Sequence, residues 1–179
     1  HTSLSLDAFL SLNYSAGPDT AYRWAKGQSV VHPYTRAKVQ INTPLDFLVV
    51  SDHAEGMGVM RAIVNEKEEL TGDLSLWQEF KRWLTIKVIK SNVANDTGPE
   101  FFNDEIMSAH AKNLPQHGDP VLDPANQIDE AALGDMSKTV GTAWSEVIDA
   151  AERYNEPGKF TAFVGWEWSS IPTGVNLHR

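Results

Sequence analysis

The chain contains no cysteine. That absence excludes disulfides and thiolate zinc sites, and it is compatible with either a reducing or an oxidising compartment. Long apolar runs are missing as well: none approaches the roughly 20 residues that a membrane-spanning helix needs, and no signal sequence is visible. Basic charge is scarce. With 15 Lys and Arg against 24 Asp and Glu, the net charge of -9 is the wrong sign for a nucleic-acid-binding face. It would also repel a phosphorylated substrate at long range, unless bound divalent metal reversed the sign locally. There is no internal repeat and no low-complexity tract. Methionine is absent from the first position, the chain opening on His1, so the expectation is a piece of a longer protein, soluble, and cytoplasmic or periplasmic.

What is present suffices for one domain: 179 residues with 41% hydrophobic positions can bury a single sizeable core. The stretch from Pro44 to Gly56 changes character abruptly. Leu45, Phe47, Leu48, Val49 and Val50 form a short apolar run that predicts a strand buried on both faces of a mostly parallel sheet. In α/β folds the ligand crevice lies beyond the carboxyl ends of such strands, where Asp52 and His53 follow. The pair suits metal ligation, a base with its orienting partner, or a ligand with the carboxylate that orients it. It also suits a strand-end turn in which Asp52 caps the next helix. Glu55 either approaches the site or starts that helix, and the helix start is preferred because acids suit the amino-terminal end of the dipole.

A second apolar run, Phe160 to Val164, leads through Gly165 and Trp166 to Glu167 and Trp168. Two parallel strands joined by a helical crossover would bring Glu167 beside Asp52 and His53. A glutamate flanked by tryptophans is costly to leave charged and unpaired, which favours a metal or a basic partner over an exposed strand end. Between the runs the pattern is helical over roughly residues 56–156. Met57, Met60, Ile63 and Val64 have helical spacing, and Leu76, Phe80, Trp83, Leu84 and Val88 lie on one stripe of a helix from Leu74 to about Ser91. A third helix is expected from Pro99 to about Asn113 and a fourth from Val140 to Tyr154, with a short one opened by Pro18 and closed by Gly27. Residues 29–43 read as loop with a short extended segment at Val39–Ile41. His32, His110 and His117 lack partners at ligand spacing and read as surface residues.

Taken together, His1-Thr2-Ser3 with Asp7, Val50-Ser51-Asp52-His53, Phe163–Glu167 and His178 resemble the metal motifs of the polymerase-and-histidinol-phosphatase (PHP) superfamily. More narrowly, Gly17–Arg23, Pro44–Glu55 and Gly165–Arg179 resemble a PHP-like family of bacterial proteins of unknown function. The resemblance implies a single truncated domain over residues 1–179, a partial, distorted (β/α)7 barrel with few strands and a long helical insert. It implies a multinuclear site for divalent Zn, Mn or Fe at the strand ends, with His1, Asp7, His53, Glu167 and His178 as ligands. Asp52 would be the catalytic-site carboxylate that orients a ligand, and Arg179 would meet a substrate phosphate. The first histidine of the opening motif and the later strands are missing. The intact parent is therefore expected to be a metal-dependent, phosphoesterase-like hydrolase of a small molecule, and this piece to be inactive with its metal partial or absent. The unpaired sheet edges would offer a homo-oligomer contact. A non-catalytic binding or interaction module is the alternative, and it requires Trp77, Trp83 and Trp144 to be exposed on one surface. A copper site on the amino-terminal His1 is a further alternative.

Overall fold

The computed structural model describes residues 1–107, 132–170 and 177–178, and the statements below concern those residues. The sheet that matters is a parallel pair, β3 (Phe47–Val50) and β4 (Thr161–Val164), in register Phe47↔Thr161 through Val50↔Val164. Parallel strands cannot be joined by a tight turn. Their connection here runs through α3 (Val59–Val64), α4 (Leu76–Ala94), α5 (Gly98–Phe101), a π-helical turn (Phe102–Met107) and α6 (Ser137–Tyr154).

Before β3 come α1 (Leu6–Leu10), α2 (Pro18–Ala25) and a two-residue hairpin pair, β1 (Val30–Val31) with β2 (Lys38–Val39). After β4, β5 (Ser169–Ser170) pairs antiparallel with β6 (Leu177–His178). The architecture is mixed α/β. Among the described residues no helix is long and apolar enough to cross a membrane.

Local chemistry explains the element ends. Pro18 sits at the first turn of α2, where its missing N–H would be unpaired anyway, and Gly27 follows the helix at φ 74°. Ser75 and Gln78 form a capping box at the start of α4. Gly58 precedes α3 at φ 76°, and a Cβ there would fall 2.5 Å from that of Ala143, so α3 and α6 meet at a position that only glycine fills.

The core lies on one side of the parallel pair. Tyr22 and Ala25 of α2, Val50 of β3, Ala150 and Ala151 of α6 and Phe160 are buried together. The Tyr22 hydroxyl donates to the Phe163 carbonyl at 2.9 Å, which ties α2 to β4. A second cluster, Val59, Ile63, Ile89, Leu133 and Met136, joins α3 to α4, and a third, Leu4, Met57, Ala143 and Val147, seats the amino-terminal segment on α6.

Several expectations need correction. The described residues form three two-stranded ladders and no closed barrel, so the (β/α)7 architecture is not present. β3 is not buried on both faces: Phe47 is 61% exposed, because two strands have helices on one face only. The expected extended segment is the short β2, and the described part of the expected third helix is α5 with its π-helical turn, residues 108–113 lying outside the described residues. The stripe of α4 is present but faces solvent, and Arg82, Ile86 and Ile89 face the body instead. His32 is exposed and accepts N–H bonds from Tyr34 and Thr35, whereas His110, His117 and the loop around them lie outside the described residues.

Candidate metal centre

Just past the strand ends, the backbone ladder continues by one bridge. The Glu167 N–H donates to the Asp52 carbonyl and the Ala54 N–H to the Glu167 carbonyl, each at 2.9 Å, so His53 and Glu167 stand in parallel register. Paired residues of a ladder project to the same face. Gly165 makes the approach feasible, since a Cβ there would lie 2.5 Å from Cγ2 of Val49.

The amino-terminal segment brings the other donors. Asp52 is fully buried and accepts from both the backbone N–H and the hydroxyl of Thr2, the latter at 2.6 Å, which pins the residue next to His1. His1 then reaches Asp7 through Nδ1 at 2.8 Å and Glu167 through Nε2. Its ring lies edge-on to that of His53, with centroids 4.5 Å apart. His53 Nε2 is 3.9 Å from the Asp7 carboxylate. One donor atom from each of His1, Asp7 and His53 lies within 4.8 Å of the others. That is close to the separation of about 4 Å between opposite donors of one ion bound at 2.0–2.2 Å.

Hydroxyls orient the set. The Ser5 hydroxyl donates to the second oxygen of Asp7 while accepting the His53 N–H at 3.3 Å, and the Ser169 hydroxyl is 2.8 Å from Nδ1 of His53. The hydrogen bond to Asp7 raises the His1 pKa to about 9, against the opposing effect of burial and with help from Glu167. Burial opposes ionisation of Asp7, yet hydrogen bonds from His1, Ser5 and the Ala8 backbone hold its carboxyl well below the ordinary range. Burial raises the pKa of Asp52 against the hydrogen bonds from Thr2.

Of the residues singled out in the sequence, His1, Asp7, His53 and Glu167 are brought together. Asp52 is not part of that convergence: it faces Thr2 and holds the His1 segment. The backbone of His178 pairs with Ser169 in the β5–β6 ladder, one position beyond the strand-end tryptophan, and Arg179 lies outside the described residues. Glu55 does not start a helix, since α3 begins four residues later. It accepts the Ser169 N–H at 3.2 Å and lies 4.0 Å from Nδ1 of His53. Ser5 and Ser169 gave no sequence signal, because an isolated serine carries no spacing.

The residues immediately after His53 and before Glu167 line an apolar cleft of about 340 Å³, which Ala54 and Trp166 form with Met57, Val140 and Trp144. The rings of Trp144 and Trp166 meet edge to face at 5.6 Å.

One family model matches residues 1–179, and its description is "Protein of unknown function (DUF3604)". No PHP model matches, so the superfamily expectation is corrected. No curated protein and no solved structure matches the chain.

Proposed function

The chain belongs to the DUF3604 family, whose description assigns no activity, and from the chemistry of its own residues we propose a divalent-metal centre that serves hydrolysis of a small-molecule ester, phosphoesters included. The observation that carries this reading is the convergence of two imidazoles and two carboxylates, from His1, Asp7, His53 and Glu167, at the carboxyl ends of a parallel strand pair. Mixed nitrogen and oxygen donors suit Zn, Mn or Fe(II). When bound, such an ion supplies a hydroxide at neutral pH and polarises an ester oxygen.

The chain's own residues do the rest. His1, Asp7 and His53 would hold the ion, Glu167 sets the His1 ring from its Nε2 side, Ser5 orients Asp7, and Ser169 sets the ring of His53. Asp52 keeps the His1 segment seated through Thr2.

Metal analysis and zinc and manganese titration by calorimetry test the reading, followed by hydrolysis assays on p-nitrophenyl phosphate and p-nitrophenyl acetate. Because the donors already lie together in this chain, stoichiometric binding replaces the partial or absent metal expected from the sequence, and a large loss is expected in His53→Ala and Glu167→Gln. Zinc binding that is equally tight in both variants would sink the proposal.

A second reading, a non-catalytic interaction module, is favoured by a different observation: Trp77 and Trp83 are 63% and 53% exposed on α4, although Trp144, expected on the same surface, is half-buried on α6 against Trp166. Acrylamide quenching of Trp77→Phe and Trp83→Phe checks that exposure. A bound ion without turnover on any ester, in a chain whose α4 rings are freely quenched, is the outcome that selects this reading over the first.

A further inference from the structure

The exposed side of α4 is not a solvated face. Leu76, Phe80, Leu84 and Val88 are exposed and four residues apart, forming one ridge along the helix, flanked by exposed Trp77 and Trp83. The rings of Trp77, Phe80 and Trp83 stack near-parallel with centroids 5.7 and 6.0 Å apart, so the three side chains form one continuous aromatic surface. Its opposite side is fully used: Arg82 donates to the Leu133 carbonyl at 2.6 Å and pairs with Glu68, while Ile86 and Ile89 pack against α3.

We infer that this ridge is the contact between two copies of the chain, arranged antiparallel about a two-fold axis near the middle of α4. The area is of the right order. Taking about 150–250 Å² per aromatic side chain, somewhat less per aliphatic one, and the fractions left exposed, Trp77, Phe80 and Trp83 with Leu76, Leu84 and Val88 present on the order of 600 Å². That is the upper end for a patch on a lone protein, and most of the roughly 800 Å² per partner of a stable interface.

Ridges at four-residue spacing interdigitate with the grooves of an identical helix. Antiparallel pairing sets Phe80 of each copy against Leu84 of the other, and Leu76 against Val88, so large meets small. The charges fit the same arrangement. Glu79 is exposed in the amino-terminal half of α4, and Lys81 and Lys87 lie further along, their ammonium groups 5.5 and 5.3 Å from the rings of Trp77 and Trp83. In the register that sets Phe80 against Leu84, Lys87 comes opposite Trp77 of the other copy and Lys81 opposite Trp83, so each lysine meets an aromatic side chain across the contact. Mixed signs on the stripe and the net charge of -9 do not suit an anionic bilayer. The inference does not depend on the metal centre, which lies on other elements.

Multi-angle light scattering and sedimentation equilibrium on the chain test it. Twice the protomer mass is expected for the wild type, and the protomer mass for Phe80→Glu and for Leu84→Ser, with the circular dichroism of all three alike. Lys87→Glu should weaken association several-fold, because it sets a carboxylate against the face of Trp77 in the other copy. A wild type that stays monomeric up to submillimolar concentration overturns the inference. So does a dimer that survives both stripe variants, or a monomer that pellets with phosphatidylglycerol vesicles.

Discussion

His1 sets the charge balance of the site, because its two ring nitrogens face two carboxylates. In the metal-free protein its pKa is raised from 6.5 to about 9, first by the hydrogen bond to Asp7. A raised pKa contributes stability that is fully present below 6.5 and lost as pH climbs through 9. Asp7 works in the other direction: its depressed pKa contributes stability present above 3.8 and lost as pH falls below it. Metal-free protein should therefore melt highest between about pH 4 and 6.5 as far as this pair is concerned, and His1→Gln should flatten the alkaline limb of that profile. Asp52 gives a second prediction. Asp52→Asn leaves one donor of Thr2 facing an amide N–H₂ in a buried place, so it should cost about 1–3 kcal/mol of stability by denaturant titration. The same variant should lower zinc affinity about 10–100-fold, because it loosens the segment that carries His1. Its adjacency to His53 in sequence marked Asp52 as important, but only the fold shows that it acts on Thr2.

At the level of elements, the parallel pair and its strand-end bridge place the donors. Gly165→Ala would set a methyl 2.5 Å from Cγ2 of Val49, so β4 must move off β3. We expect a loss of about 1–3 kcal/mol and a weaker zinc site, because the His53–Glu167 bridge lies just beyond. Gly141→Ala in α6 is the control: nothing lies within 4 Å of its added Cβ, and the change should stabilise by about 0.5–1 kcal/mol. Thermal melts of the two variants should move in opposite directions. The strands were legible as apolar runs, and α2 and α6 from their periodicity and ends. The outward face of α4 was not, because that helix has apolar residues on two sides. Leu76, Phe80 and Leu84 recur at helical steps just as Ile86, Ile89 and Val93 do, and local pattern does not say which set the body will cover.

In the whole molecule, the donors come from the amino-terminal segment and the end of β3, and Glu167 at the end of β4 holds His1, so an ion bound there fastens three parts of the chain at once. An ion that binds only the folded state adds about 2.7 kcal/mol at one hundred times its dissociation constant. Zinc should raise the melting temperature in a concentration-dependent way, EDTA should reverse the rise, and Glu167→Gln should show little of it. The sequence by itself determined which side chains have metal chemistry, where the two apolar runs end, and that those ends carry Asp52, His53 and Glu167. Those facts follow from residue type and from short-range periodicity, which act within a few positions. Tertiary structure alone decided that Thr2 takes the buried carboxylate, that Ser5, Glu55 and Ser169 come to the site, and that α4 turns its aromatic ridge to solvent. Each of these depends on contacts between residues far apart in the chain, whose partners no local pattern encodes.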